Sequence, residues 1–297
     1  MRALLFPVLL LALVSRAGAQ GPPGATLLRT QLGATLERIA ADLDGVMGYT
    51  IVDLTSGERI ERLASHVFPT ASSIKVAILY ELFKQADEGR LKLDPPIAWN
   101  PKHAVGGSGV LSELTNPTLN LRDYATLMVV LSDNTATNVV IDAIGMERVN
   151  ARMQALGAGE IRLRRLMMDL EAAKRGNENV STPAALARLL MAIEKGEGLS
   201  GPSRDAVLAM LKKPKTSAML RGLPPGVPAA TKPGDLDGVR ADVGIVYETG
   251  RPYVFVAMTS WLNVDEEGER AIERASRAVY RYMHRLAISS EFGRGIR

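Results

Sequence analysis

Three short segments carry side chains whose types and spacing could do acyl-transfer chemistry. Ser72-Ser73-Ile74-Lys75 sets a hydroxyl and an amine three residues apart, on one face of a helix, at the start of an almost wholly apolar run from Ile74 to Phe83. A serine in the first helical turn lies beside free backbone N–H groups and the positive end of the helix dipole, which favour a developing negative charge. Serine attacks only when a neighbour takes its proton, and a lysine can do so only when burial or nearby positive charge lowers its own pKa. Ser132-Asp133-Asn134 offers a second hydroxyl to relay a proton and an amide to grip a substrate amide through donor and acceptor together. Thr231-Lys232-Pro233-Gly234 offers a cation for a carboxylate and a glycine that lets a ligand approach the backbone.

Each segment also has a plain structural reading. Ser72 or Thr70 could cap a helix, Ser132 to Asn134 is a set of N-cap residues, and Lys-Pro-Gly is a turn sequence. Their joint occurrence in this order, 60 residues from Ser72 to Ser132 and 100 from Ser132 to Lys232, is what favours a shared site.

The elements that must position these residues are visible in the apolar periodicity. Leu32, Leu36, Ile39 and Leu43 recur at helical spacing before Gly45, and Val46 to Leu54 with the segment around Ile60 reads as a hairpin. At the far end, Val243 to Tyr247 and Tyr253 to Met258 flank a turn, and Ile272, Ala275, Val279, Tyr282 and Leu286 mark a long amphipathic helix. Between these ends the pattern is helical: a helix buried on every side over Ile74 to Phe83, then helices near Leu121 to Leu131, Asn134 to Ile144 with Gly145 as its cap, and Ala184 to Ile193 after Thr182-Pro183. The expected fold is α/β: an antiparallel sheet built from both chain ends (27–66 and 221–290), flanked by terminal helices, with an all-helical part inserted at 67–220. A small ligand is expected in the cleft between the two parts.

Composition narrows the chemistry. The 297 residues are 46% hydrophobic and contain no cysteine, which excludes a thiol nucleophile, a disulfide framework and cysteine-bound metal. His66, His103 and His284 have no metal-ligand spacing, and no G-x-S-x-G elbow accompanies them. The net charge is +4, and loss of Arg2 and Arg16 with an N-terminal leader would leave about +2, too little to argue for nucleic acid. Residues 1–19 have the early positive charge, the apolar run Ala3 to Val14 and the small residues Ala17-Gly18-Ala19 of a secretory signal, with 20–26 as a spacer. The expectation is therefore an exported, periplasmic or secreted monomer, free of the membrane once the leader is removed.

The three motifs and their flanks, Phe68-Pro69-Thr70-Ala71 before Ser72, Gly107-Ser108-Gly109-Val110-Leu111, and Leu131 to Asn138, make the chain resemble the class A β-lactamases over roughly residues 27–290. The resemblance implies a serine hydrolase that hydrolyses β-lactams through an acyl-enzyme, with no metal or organic cofactor. It implies that Ser72 attacks, Lys75 assists proton removal, Ser132 shuttles a proton to the departing nitrogen, Asn134 binds the substrate amide and Lys232 anchors the carboxylate. The oxyanion would lie between the backbone N–H groups of Ser72 and of Asp235, the residue after Gly234, and Arg240 would reinforce the anionic end of the substrate. A D-alanyl-D-alanine peptidase or esterase, and a β-lactam-binding protein acylated without turnover, share the first half of this chemistry.

Two departures bear on the second half. Relatives carry a loop glutamate that activates the deacylating water; the segment here reads Arg164 to Glu171, and counting back from Pro183 puts Leu166 at that place while counting forward from Arg165 puts Met167 there, with Asp169 and Glu171 nearby. Without a positioned base, deacylation would lose on the order of 10² to 10⁴ in rate. Pro233 stands where relatives have Thr or Ser, removing a hydroxyl and a backbone N–H; the lost hydrogen bond to a carboxylate would cost about 1.5 to 3 kcal/mol of affinity.

Overall fold

The computed structural model describes residues 23–115 and 117–296; the leader expected at 1–19 lies outside them. The chain begins with α1 (Pro23–Ala41), so the second half of the expected spacer is already helical, and continues into the hairpin β1 (Val46–Asp53) and β2 (Arg59–Arg62). β3 (Phe68–Pro69) and a 3₁₀ turn at Ala71–Ile74 lead into α2 (Lys75–Asp87). A helical region follows: β4 (Pro96–Ala98), β5 (Thr118–Asn120), α3 (Leu121–Val130), α4 (Asn134–Ile144), α5 (Met146–Ala155), α6 (Leu170–Lys174), β6 (Val180–Ser181), α7 (Pro183–Lys195), α8 (Gly201–Lys212) and α9 (Ala218–Arg221). The chain then returns through β7 (Ala229–Leu236), β8 (Val239–Val246) and β9 (Tyr253–Ser260) and ends in α10 (Asp265–Ala287).

The five long strands form one antiparallel sheet in the order β2-β1-β9-β8-β7, so the two chain ends meet at β1 and β9. Both sheet faces are covered, which is why β1 and β9 are apolar along nearly their whole length. Val243, Ile245, Val254 and Val256 pack into the core shared with α2, α3, α4 and α7. Tyr49, Ile51, Phe255 and Ala257, pointing the other way, pack beneath α1 and α10 with Ile39, Ile272, Ala275 and Val279. Helix starts and stops follow their signals: Thr182 caps α7 ahead of Pro183, and α4 ends at Gly145 with φ of 81°, a conformation that suits glycine.

Lys232-Pro233-Gly234 is not a turn, as its composition suggests, but the middle of β7, the edge strand. The Tyr247 amide donates to the Pro228 carbonyl, and in the same register Lys232 faces Val243 and Gly234 faces Ala241. By the alternation of an antiparallel ladder, residues 230, 232 and 234 exchange bonds with β8, while 231, 233 and 235 direct their backbone groups away from it. Pro233 thus occupies a position whose N–H would not have joined the ladder, and costs the sheet nothing.

Asp133 ties the helical region together. One carboxylate oxygen accepts from the Ala136 amide and caps α4, while the other accepts from the amides of Val110 and Leu111 at 2.7 and 2.8 Å. With Asp133 only 1% exposed, its loss strands two buried donors, the Leu111 and Ala136 amides, and the part-buried Val110 amide. Asp133→Ala is expected to lower unfolding free energy by about 3 kcal/mol or more, read as a shift in urea midpoint. A shift below about 0.5 kcal/mol would show that this clasp does not hold the region.

Candidate active site

The short 3₁₀ turn carries half-buried Ser72 at the mouth of α2, and the buried first turn of α2 turns Lys75 inward beneath it. The Lys75 ammonium position is fully enclosed, with Nζ 3.0 Å from Ser72 Oγ, 3.0 Å from Ser132 Oγ, 3.0 Å from Asn134 Oδ1 and 2.7 Å from the Ser132 carbonyl. Ser132, between α3 and α4, is held at φ of 54°, an uncommon conformation for a non-glycine residue that aims both its hydroxyl and its carbonyl at Lys75. From the third direction Lys232, 1% exposed, brings Nζ to 3.2 Å from the same Ser132 hydroxyl and to 2.7 Å from the Pro233 carbonyl. Ser72, Lys75, Ser132, Asn134 and Lys232, spread over 160 residues of sequence, therefore form one hydrogen-bonded cluster.

Gly234 brings the sheet edge against the nucleophile: a Cβ there would lie 2.8 Å from both the Ser72 amide nitrogen and the Thr70 carbonyl oxygen. The next residue, Asp235, directs its amide away from β8, on the side where Ser72 stands. Two backbone donors are thus available at the nucleophile, the arrangement that stabilises an oxyanion. Asn134 is fixed by the loop before it, its amide nitrogen donating to the Gly106 carbonyl at 3.1 Å and its backbone N–H to the Ser108 carbonyl at 2.9 Å.

Burial and the neighbouring Lys232 push the Lys75 pKa well below that of a free lysine; the charges of Asp133 and Asp235 oppose this only in part. Burial likewise lowers Lys232, to about 7, against the pull of Asp235 and Asp242. An amine whose proton affinity is lowered in this way, 3.0 Å from a serine hydroxyl, is suited to accept its proton.

Arg240 is not part of this cluster. It leaves β8 on the opposite face of the sheet from Lys232, where Nη2 meets Asp265 at 3.1 Å, Nε meets Glu269 at 3.3 Å, and Nη1 donates to the carbonyls of Leu236 and Val239. Register decides this: Arg240 pairs with Asp235, so it shares that residue's face rather than that of Gly234.

The loop after α5 is closed at its base by the buried Arg165 with Glu178 at 2.7 Å, and by the Asn179 side chain, which accepts from the amides of Arg164 and Arg165. Within it, the Asn138 side chain of α4 accepts from the Met167 amide at 2.9 Å and donates to the Met167 carbonyl at 3.3 Å, seating Met167 in the core. Met168, at φ of 62°, lays its thioether beside Gly107 and the Asn134 amide. Neither nearby carboxylate is turned to the cluster: Asp169 caps α6 by accepting from the Ala172 amide, and exposed Glu171 pairs with Lys174 at 2.9 Å. The clasp by Asn138 and the thioether of Met168 had no signal in the sequence, because both arise from the path of the loop.

Comparison with known proteins agrees with this geometry. The model of the β-lactamase enzyme family matches residues 31–283. The chain belongs to that family. Among curated relatives, the β-lactamase AST-1 of Nocardia asteroides is 30% identical over 234 residues, 76% of this chain and 75% of the relative. An imipenem-hydrolysing β-lactamase of Enterobacter cloacae is 26% identical over 251 residues, 82% of this chain and 86% of the relative. Among solved structures, PBP-A is similar with a TM-score of 0.79 and 31% identity over 85% of this chain and 95% of that one. A leucine-to-glutamate mutant of PBP-A, solved as an acyl-enzyme with penicillin G, has a TM-score of 0.78 and 32% identity over 86% and 96%. The fold is that of the class A β-lactamases, as the motifs and their flanks imply.

The state of Lys75 yields a direct test. Because its pKa is lowered, the neutral, proton-accepting form persists to lower pH than in a free lysine and is lost as pH falls through that lowered value. Acylation of Ser72 is expected to reach its plateau well below the pH at which a free lysine loses its proton and to fall on the acid side of that plateau. Lys75→Ala should slow it by about 10² to 10⁴ and abolish that limb. A rate that instead climbs tenfold per pH unit up to about pH 10 would show an ordinary lysine.

Proposed function

We propose that this protein is an exported serine hydrolase of the β-lactamase type, acylated by β-lactams at Ser72 and slow to release the adduct. The observation that carries the reading is the Ser132 hydroxyl placed 3.0 Å from the Lys75 amine and 3.2 Å from the Lys232 amine, with Ser72 Oγ 3.0 Å from the former. Lys75 takes the Ser72 proton as Oγ bonds to the lactam carbonyl carbon, and the amides of Ser72 and Asp235 hold the developing oxyanion. As the lactam C–N bond breaks, the proton passes from Lys75 through Ser132 to the departing nitrogen. Asn134 binds the acylamido group of the substrate. The relatives support the β-lactam as acyl donor, and the secretory pattern of residues 1–19 supports export. No helix among the described residues is long and apolar enough to cross a membrane.

Slow release rests on the loop. Hydrolysis of the ester requires a base for water, and the segment following Arg165 presents Leu166, Met167 and Met168, with Asp169 and Glu171 engaged elsewhere. Intact-mass measurement after mixing with benzylpenicillin is expected to show an adduct of one intact penicillin that persists over many minutes and is absent in Ser72→Ala. Cleavage of a D-alanyl-D-alanine peptide with no penicillin adduct would overturn the reading in favour of a peptidase. Met167→Glu, which puts a carboxylate at the residue clasped by Asn138, is expected to shorten the adduct lifetime tenfold or more; an unchanged lifetime would show that the missing base is not what limits release.

A further inference from the structure

The sheet face opposite Lys232 is covered by α1 and α10, and the outer side of that helix pair gathers positive charge. Arg270, Arg274, Arg277, Arg281 and Arg285 follow one another at spacings of four, three, four and four residues, which puts them on one stripe of α10, and all five are exposed. From Arg274 to Ala287 the helix contains no acidic residue. The helix dipole favours basic residues in the last turn only and does not account for a stripe of this length. Across from the stripe α1 contributes Arg38, and the two helices enclose a groove of about 280 Å³ lined by Arg38, Arg274, Arg277 and Arg281 and by no carboxylate. At its margins Asp42 reaches Arg274 at 3.5 Å and Glu273 reaches Arg277 at 2.6 Å; exposed ion pairs of this kind are weak and exchange readily for another anion. Among the described residues, neither Arg38 nor Arg281 pairs with a carboxylate.

One end of the same helix pair adds exposed apolar groups. Arg29 of α1 and Tyr282 of α10 both meet Glu58, at 2.7 and 2.9 Å, so the start of α1 lies beside the end of α10. There Leu27, on the same stripe of α1 as Arg38, is 58% exposed. The chain after α10 folds back on itself, the Ser290 amide donating to the Arg294 carbonyl at 2.8 Å and the Ile296 amide to the Ile288 carbonyl. The tip of that turn carries Phe292, 89% exposed, with Glu291 and Arg294 beside it.

We infer that the α1–α10 face docks on the surface of an anionic phospholipid bilayer, the arginine groove taking lipid phosphates and Phe292 entering the headgroup boundary. Charge complementarity names the phosphate: arginine binds it through paired N–H donors, and basic residues gathered on one face are drawn to an anionic leaflet. The apolar tip favours a bilayer over a soluble anion, in which a phenyl ring finds no apolar layer to enter. Because α10 buries its own apolar side against Phe255 and Ala257, the contact is adsorption on the surface rather than insertion of the helix. It leaves the cleft, on the other face of the sheet, open to solvent. The net charge of +4 conceals this face because acidic residues elsewhere cancel it, and a chain expected to be free of the membrane after loss of its leader would instead stay at the membrane surface. The inference stands apart from the chemistry at Ser72.

The test uses the chain from Gln20 onward, which contains every element of the fold and none of the segment read as a leader. It is sedimented with vesicles of phosphatidylcholine, alone or mixed with an equal part of phosphatidylglycerol. At about 0.1 M salt, partition onto the anionic vesicles is expected to exceed that onto the neutral ones about tenfold or more, and to be lost near about 1 M salt. Arg38→Gln combined with Arg281→Gln is expected to weaken it about tenfold or more. Phe292→Ser, which keeps the charge, is expected to weaken it about threefold or more. Urea midpoints at the parent value show that the variants keep the fold. Equal partition onto the two kinds of vesicle, or a double variant that binds as the parent does, would overturn the inference. Loss in the arginine variant with full retention in Phe292→Ser would assign the groove to a soluble polyanion and overturn the bilayer as its occupant.

Discussion

Two lysine amines, both cut off from water, meet at one serine hydroxyl, and most of what is distinctive in this protein follows from keeping them there. Removing an ammonium from water is costly, and two of them side by side repel. The fold answers with hydrogen bonds rather than with a direct ion pair: Lys75 is surrounded by two hydroxyls, a carbonyl and an amide oxygen, and Lys232 by a hydroxyl and a carbonyl. The lowered proton affinity of both amines is the chemical product of that confinement. The strained Ser132, the close approach at Gly234 and the clasp of Asp133 all serve to hold three separate chain segments on this point.

The same framework explains why the two halves of the chemistry are unequally equipped. In the proposed reading, the groups that would form an acyl-enzyme come from elements anchored in the core: the turn before α2, the junction of α3 and α4, and β7. What would hydrolyse it would have to come from the loop between α5 and α7, and that loop is built for packing. Arg165 and Asn179 close its base, Asn138 seats Met167, and its acidic residues cap a helix or pair at the surface. Of its apolar residues at 166–168 only Met167 is buried in the core, while Leu166 and Met168 stay exposed, and none of them can activate water.

Ser72, Lys75, Ser132 and Asn134 could be picked out in the sequence because their neighbours in the chain already constrain them: serine and lysine one helical turn apart, and Ser-Asp-Asn at a helix start, need little tertiary information. The fold class was legible for a similar reason, since strands covered on both faces leave long apolar runs and α10 leaves a clear stripe. Elements with weak stripes were not read; α5 buries only Val149 and Met153. β7 was hidden because Pro233 and Gly234 are turn residues in most settings, and only an edge strand with the proline at a non-bonded position tolerates them. Arg240 was misplaced because its face depends on the β7–β8 register and its partners on α10, neither of which a local pattern contains.

The central claim is that the charge on Lys75 is lost at far lower pH than that of a free lysine. Nitrogen NMR of ¹⁵N-lysine-labelled protein, with the Lys75 signal assigned by its loss in Lys75→Met, reads that charge directly. The account predicts that the change from ammonium to neutral amine is centred well below the pH at which a free lysine titrates. An ammonium signal that persists until pH approaches 10 would contradict it.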